Sequence, residues 1–184
     1  MKLYVIGGKA KSGKNTFGKY LREELKEYGY KPCVMQITEP LYSYARNYFE
    51  WDENNDPKPR EFLQKMGIEI IKEKLNKKTF LIDRLCENIE ILNTFFDTFI
   101  ITDARLIEEF EELKKRYPNT VLIRLNRENY NDGLTSEERN HITETSIDKY
   151  NKFDYNINST SIEKLKEAAH LLVKNEESVE GEII

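Results

Sequence analysis

The run Gly8-Lys9-Ala10-Lys11-Ser12-Gly13-Lys14-Asn15-Thr16 constrains this chain more than any other stretch. It follows the apolar segment Leu3-Tyr4-Val5-Ile6. It precedes a helical pattern that puts Phe17, Tyr20, Leu21, Leu25 and Tyr28 on one side. Strand, G-x-x-x-x-G-K and helix in register are the context of a phosphate-cradling P-loop. Gly8 and Gly13 let the backbone turn sharply and come close to an anion. Inward N–H groups and the N-terminus of the following helix favour phosphate oxygens. Lys14 adds a point charge for the outer phosphates. Lys9, Lys11, Ser12, Asn15 and Thr16 complete the nucleotide-binding set. A glycine-rich turn that merely joins a strand to a helix is the alternative, and the register of all these features argues against it. Asn15 stands where the motif places Ser or Thr, with Thr16 one residue later. A magnesium ion here would rest on Thr16 and an acid elsewhere, largely through water and substrate oxygens.

The remaining segments read as alternating strands and helices. Cys33–Ile37 is a second strand, and Thr38 or Glu39 caps a helix with Pro40 at its first position. A polar connector with two prolines follows, then helices over Arg60–Leu75 and Thr79–Leu92. Thr98–Asp103 and Thr120–Leu125 are apolar strands, with a helix between them that stops before Pro118. Asn126–His141 is polar, and Tyr155–Asn158 is a short last strand. Ile162, Leu165, Ala169, Leu172 and Val173 form a final helical face. Residues 175–184 read as a frayed acidic tail. The fold class is therefore α/β with a mostly parallel sheet of about five strands. Ligands in such sheets sit beyond the carboxyl ends of the strands, where the P-loop, Asp103 and the segment after Leu125 converge.

At 184 residues one domain suffices, and a net charge of −4 gives no bulk attraction to nucleic acid. Mean hydropathy of −0.72 and the lack of a long apolar run predict no membrane partner. Met1–Ile6 is too short an apolar run for a secretory leader. Cys33 and Cys86 form no C-x-x-C pair and read as thiols of a reducing, cytoplasmic compartment.

Asp103 ends a strand, as the second acid of a P-loop site does, and could orient magnesium; capping the next helix is its alternative. Arg105 sits two residues on, where the helix dipole disfavours a cation and a guanidinium fork suits a phosphate. Arg60 is a second candidate for an acceptor phosphate. Arg127 and Arg139 lie in the stretch expected to form a lid, Arg139 with a catalytic role and Arg127 with the nucleotide. Their neighbours Glu128, Glu137 and Glu138 make a solvated charge run a competing reading. Gln64 could bond a base or face solvent. His141 with Glu144 lacks a third ligand, so a hydrogen bond near the nucleotide fits better than a metal. Tyr42, Tyr44, Tyr48, Phe49 and Trp51 could stack a base, although such a stripe more often packs in a core.

Several of these strings resemble the phage-type deoxynucleoside monophosphate kinases. Lys9–Thr16 is similar to that family's K-R-S-G-K-D-T loop, and Ile101-Thr102-Asp103-Ala104-Arg105 to its strand-end D-x-R. Glu39-Pro40-Leu41 resembles its P-L-K segment, Arg60–Gly67 its R-x-L-L-Q-x-x-G helix, and His141-Ile142-Thr143-Glu144 its H-x-S-E element. The order matches from Lys2 to about Val173. Departures are Asn15 for an acid, Tyr42 for a Lys, and Phe80 near a usual Trp.

The resemblance implies a P-loop NTPase three-layer α/β/α fold over residues 1–174. It implies a helical acceptor-binding insertion near 39–95 and a lid near 126–142. It also implies ATP and Mg2+ as cofactors and small-molecule nucleotides as partners, in a monomer or homodimer. Arg60, Gln64, Arg105, Pro40, His141 and Glu144 become acceptor-side candidates. Phosphomevalonate kinases of the animal type share a similar loop, so that acceptor stays open. A GTPase is a rival because Asn151-Lys152-Phe153-Asp154 spells N-K-x-D, yet that string precedes a strand and no D-x-x-G accompanies it. A non-catalytic nucleotide sensor is a further rival, disfavoured by the helical insertion.

Overall fold

The computed structural model describes residues 1–127, 132–158 and 160–181, with side chains to residue 178. Five strands form one parallel sheet: β1 (Lys2–Gly7), β2 (Pro32–Met35), β3 (Thr98–Ala104), β4 (Thr120–Asn126) and β5 (Tyr155–Asn158), in the order β2-β3-β1-β4-β5. Side chains alternate faces along a strand, so the central strands feed two cores. Leu3 and Val5 of β1, Phe99 and Ile101 of β3 and Leu122 of β4 enter one core; Tyr4, Ile6, Ile100, Val121, Ile123 and Leu125 enter the other.

The second of these cores is closed by α1 (Lys14–Glu27) and α8 (Ile162–Gly181), through Phe17, Leu21, Leu25, Leu165, Ala169 and Val173. The first is closed by α2 (Glu39–Tyr48), α4 (Phe80–Leu92) and α5 (Ile107–Arg116), through Leu41, Leu81, Ile82, Leu85, Ile89, Phe110 and Leu113. The result is three layers with β1 in the middle of the sheet. Gly7 at the end of β1 lies against Phe110: a Cβ there would meet Phe110 Cζ at 2.5 Å. Phe110 is in turn stacked on Tyr150 and edge-on to Phe153. That close packing fixes the height at which the strand hands over to the loop.

Three elements differ from the sequence reading. The helix expected over Arg60–Leu75 is α3 (Arg60–Gln64) running into a π-helix (Lys65–Lys74). The wider winding is marked by Leu75 N donating to Ile70 O at 2.9 Å. The apolar spacing was the same for either winding, so periodicity could not separate them. The polar stretch after β4 carries two short helices, α6 (Ser136–Asn140) and α7 (Ile142–Thr145), and a 3-10 turn at Ser146–Lys149. The last helix does not fray at Asn175 but continues to Gly181. Tyr30 donates to Glu177 at 2.6 Å, Tyr155 donates to Glu176 at 2.5 Å, and Lys2 pairs with Glu176 at 2.9 Å. These tie that part of the expected tail to the domain. Residues 128–131 of the expected lid and 182–184 of the expected tail lie outside the described residues. Among the described residues no helix is long and apolar enough to cross a membrane.

Candidate functional site

The loop between β1 and α1 lies at the carboxyl edge of the central strand. Gly13 is the N-cap of α1 at φ 96°, a left-handed conformation that glycine adopts without strain. Gly8 is walled in: a Cβ would meet Ser12 Oγ at 2.5 Å and Leu125 O at 2.7 Å. Lys11 holds a positive φ of 56° with a full side chain. The first turn of α1 carries no acid, so its amide dipoles are left for an external anion. Ser12 Oγ is buried and is the one side-chain polar atom among the described residues recorded as buried without a partner.

Lys14 is buried, and its ammonium donates to Gly8 O and Lys9 O, both at 2.7 Å. Burial pulls its pKa well below the usual lysine range. Arg105, Lys58 and Arg60 push the same way, and Asp103 opposes them. A cleft of about 350 Å³ opens here, lined by Lys14, Asn15 and Thr16 together with Lys11, Lys58, Arg60, Arg105 and Arg127. A second chamber, of about 110 Å³, joins it through shared walls at Thr38, Tyr42, Lys58, Arg60, Asp103 and Arg105. Its far end is apolar at Leu41, Leu63, Ile68 and Leu81, with Gln64, Lys72 and Glu109 as polar groups. Gln64, Ile68 and Lys72 come from the α3–π-helix run, where positions four apart share one side.

Lys58 was not among the sequence candidates. It lies in the connector between α2 and α3. The connector folds on itself: Trp51 Nε1 donates to Pro57 O at 3.0 Å, and Asp52 accepts from Asn54 N at 2.9 Å. The fold leaves Lys58 Nζ 5.4 Å from the centre of the Tyr42 ring, and Tyr42 itself is 5.5 Å from Trp51. Surrounding protein lowers the Lys58 pKa, with Arg105 and Arg60 adding to the effect and Asp103 opposing it. No local motif marks this lysine; the paired prolines Pro57 and Pro59 on either side of it were the only sign of a rigid approach.

Asp103 sits where the strand-end acid was expected. It does not cap α5, whose N-cap is Leu106. Its Oδ1 accepts from Ile37 N at 2.8 Å, and its Oδ2 from Thr38 N at 3.0 Å and Thr38 Oγ1 at 2.5 Å. Thr38 therefore spends its hydroxyl on Asp103 and makes no side-chain cap for α2. Glu109 takes over the start of α5, accepting from Arg105 N at 2.8 Å and Leu106 N at 3.0 Å. Burial raises its pKa.

Other expected residues are placed differently. Arg139 is on the surface, bidentate to Asp132 at 2.8 and 3.1 Å, and lines neither the cleft nor the chamber. That pairing pulls Asp132 down to about 2. Pro40 is the second residue of α2 and His141 caps α7, accepting from Thr143 N at 3.3 Å; neither lines the chamber. Glu144 borders the chamber, but its oxygens are taken by Ala10 N and Arg105. Lys9 pairs outward with Asp148 at 2.6 Å. Gly8, Lys9, Ser12, Asn126, Arg127 and Asn158 line a hollow behind the loop, at the carboxyl ends of β4 and β5. Tyr48 and Phe49 are 75% and 59% exposed, so the aromatic stripe of α2 is not core throughout. The N-K-x-D string precedes β5, away from the P-loop edge, with Lys152 on Glu111 and Asp154 accepting from Leu122 N. Among the described residues there is no cluster of three or more His, Cys, Asp or Glu that could hold a metal.

The architecture is the P-loop kinase α/β fold. The chain resembles shikimate kinase from Bacteroides thetaiotaomicron over 96% of its own length and 98% of that chain, with a TM-score of 0.53 and 15% identity. Shikimate kinase from Aquifex aeolicus aligns over 98% and 99% at 14% identity and a TM-score of 0.49. The Mycobacterium tuberculosis APS kinase, solved with AMPPNP and APS, aligns over 94% and 95% at 11% identity and a TM-score of 0.47. Identity this low fixes the fold and nothing finer. No protein-family model matches the chain, and no curated protein matches it.

Proposed function

We propose that this protein transfers the γ-phosphoryl group of ATP to a small acceptor that is itself phosphorylated, a (deoxy)nucleoside monophosphate. One observation carries the reading. Six cations, Lys11, Lys14, Lys58, Arg60, Arg105 and Arg127, surround a single cleft that opens into a partly apolar chamber. Three of them, Lys58, Arg60 and Arg105, also line the chamber, beyond the loop that would hold a triphosphate, and so suit a second anion. The acceptor phosphate has a second pKa of about 6 and is largely dianionic at neutral pH, so it needs no general base. The work left for the protein is alignment, charge neutralisation and exclusion of water.

In this reading the loop amides and Lys14 hold the donor phosphates. Arg127, which lines both the cleft and the hollow at Asn126 and Asn158, lies between the donor's phosphates and its base. Lys58, Arg60 and Arg105 receive the acceptor phosphate, and the chamber takes its base, with Gln64 as a hydrogen-bonding partner. The oxygen donors near the loop, Thr16 and Asp103, suit magnesium held mostly through water and phosphate oxygens, since Asp103 already accepts three hydrogen bonds. When bound, that ion would neutralise charge on the donor phosphates.

Lys72 in the chamber favours a second reading, an acceptor bearing a carboxylate such as phosphomevalonate. It is less favoured, because Lys72 is paired with Glu108 at 2.5 Å and Glu109 lies beside it. The test is a coupled ADP-release screen over nucleoside and deoxynucleoside monophosphates, with phosphomevalonate included. Turnover with a nucleotide is expected. No turnover above the ATP-alone background with any acceptor would overturn the kinase reading, and a preference for phosphomevalonate would replace the nucleotide.

A further inference from the structure

Glu144 and Glu109 are the two buried acids among the described residues, Glu144 being 3% exposed. A buried carboxylate is costly unless both oxygens are satisfied. The two oxygens of Glu144 are satisfied by opposite halves of the site. Oε2 accepts from Ala10 N, in the phosphate loop, at 2.8 Å. Oε1 pairs with Nη1 of Arg105, at the end of β3 and on the wall of the acceptor chamber.

The turn carrying Glu144 is itself immobilised. Glu144 N donates to His141 O at 2.9 Å, and Ile107 N donates to Ser146 Oγ at 3.2 Å. Ile147, just beyond, is buried and faces Gly7, where a Cβ would meet its Cδ1 at 3.0 Å. One carboxylate thus sets the position of a loop amide and of a guanidinium from a third, fixed point.

We infer that Glu144 is a positioning residue that holds Arg105 at a set distance from the phosphate loop, and so aligns the acceptor phosphate with the donor. The inference rests on the kinase reading above. An arginine on a free stem samples many rotamers; a carboxylate on one N–H of its fork fixes its plane and leaves the other donors for an anion. In-line transfer is sensitive to such placement, a shift of ~1 Å costing on the order of 10²-fold in rate. Ala10 N, engaged by Glu144, is withdrawn from phosphate binding, so the loop's anion contacts start beyond it.

The experiment is a double-mutant cycle in steady-state kinetics with ATP and the acceptor found in the screen. Calorimetric binding of a non-hydrolysable ATP analogue and thermal melting accompany it. Glu144→Gln keeps an acceptor for Ala10 N but removes the charge facing Arg105. The expected result is a kcat lower by roughly 10- to 100-fold, with analogue affinity within about threefold of wild type. In an Arg105→Ala background the same change is expected to cost less than about twofold, because its effect runs through Arg105. Equal losses in both backgrounds, a wild-type kcat, or a loss matched by weaker analogue binding would each overturn the inference. Should Glu144→Gln melt below the assay temperature, Glu144→Asp, with its charge kept and its reach shortened, takes its place in the cycle under the same criteria. A wild type that turns over no acceptor sinks the kinase reading before any variant is made. An active wild type with additive losses sinks only the role of Glu144.

Discussion

The phosphate loop and the chamber that adjoins it are built in opposite ways. The loop is nine consecutive residues, Gly8–Thr16, held by its own backbone, by Gly13 in a left-handed conformation and by Lys14 bonding to Gly8 O and Lys9 O. The chamber is assembled from α2, the connector, α3 with its π-helix, α4, the end of β3, α5 and α7. Backbone amides read a phosphate the same way in any protein, so the loop needs a fixed spacing and little else. Side chains reading the rest of a substrate need only meet in space, so their sequence positions are free to vary. In the proposed reading the donor half is therefore generic and the acceptor half particular to this chain.

Three measurements would break or sharpen that contrast. The largest effect is expected from Lys14→Ala. Loss of the charge facing the transferring group should lower kcat by on the order of 10³-fold, in the range seen for electrostatic groups of preorganised sites. The melting temperature should change little, since removing a desolvated ammonium from the interior offsets the two loop hydrogen bonds lost with it. A melting temperature that drops together with activity would make Lys14 a structural tie rather than a phosphate ligand.

Lys58→Ala should act on the other half. Removing one charge-assisted contact should raise the acceptor KM by about tenfold, with the ATP constant changed less than about twofold. A matching rise in the ATP constant would place Lys58 on the donor side and erase the division.

The smallest effect is a proton. In the free protein Lys14 has a lowered pKa, through burial first and then through Arg105. A phosphate beside it favours the ammonium and raises that pKa again. Between the two values the complex binds more protons than the free protein, so ATP binding takes up a fraction of a proton and weakens as pH rises through that window, below the usual lysine range. Calorimetry in buffers of different ionisation heat measures the uptake, and Lys14→Met should abolish it. The stability of the free protein has the other sign. The unfolded chain keeps the proton to higher pH, so the Lys14 contribution to stability grows as pH rises from the lowered value to the ordinary one. Proton release on binding would contradict the first expectation, and a stability that falls as pH rises through that window would contradict the second.

How much could be read before the fold was known follows the same division. The strand-loop-helix start, the alternation of strands and helices and the strand-end position of Asp103 were legible, because period-2 and helical patterns and a fixed motif are local. The partners of Asp103 were not. Ile37 and Thr38 reach it across 65 to 66 residues, so the side chain that could have capped α5 instead ties the segment after β2 to the end of β3. Arg139 read as a lid arginine by position, while Asp132, seven residues earlier, holds it on the surface. Glu144 read as an acceptor contact, and its side chain spans to Ala10, 134 residues away. Lys58 carried no signal beyond the prolines on either side of it, since one lysine in a polar connector looks like any other until the connector folds.

The sequence by itself determined the α/β layering and the place of a phosphate loop at the carboxyl edge of β1, because strand and helix periodicity and glycine geometry act over a few residues. Only the tertiary structure decided which cations face that loop and which acid sets their positions. Burial, charge compensation and the partner of each side chain depend on segments that meet only after the sheet has closed.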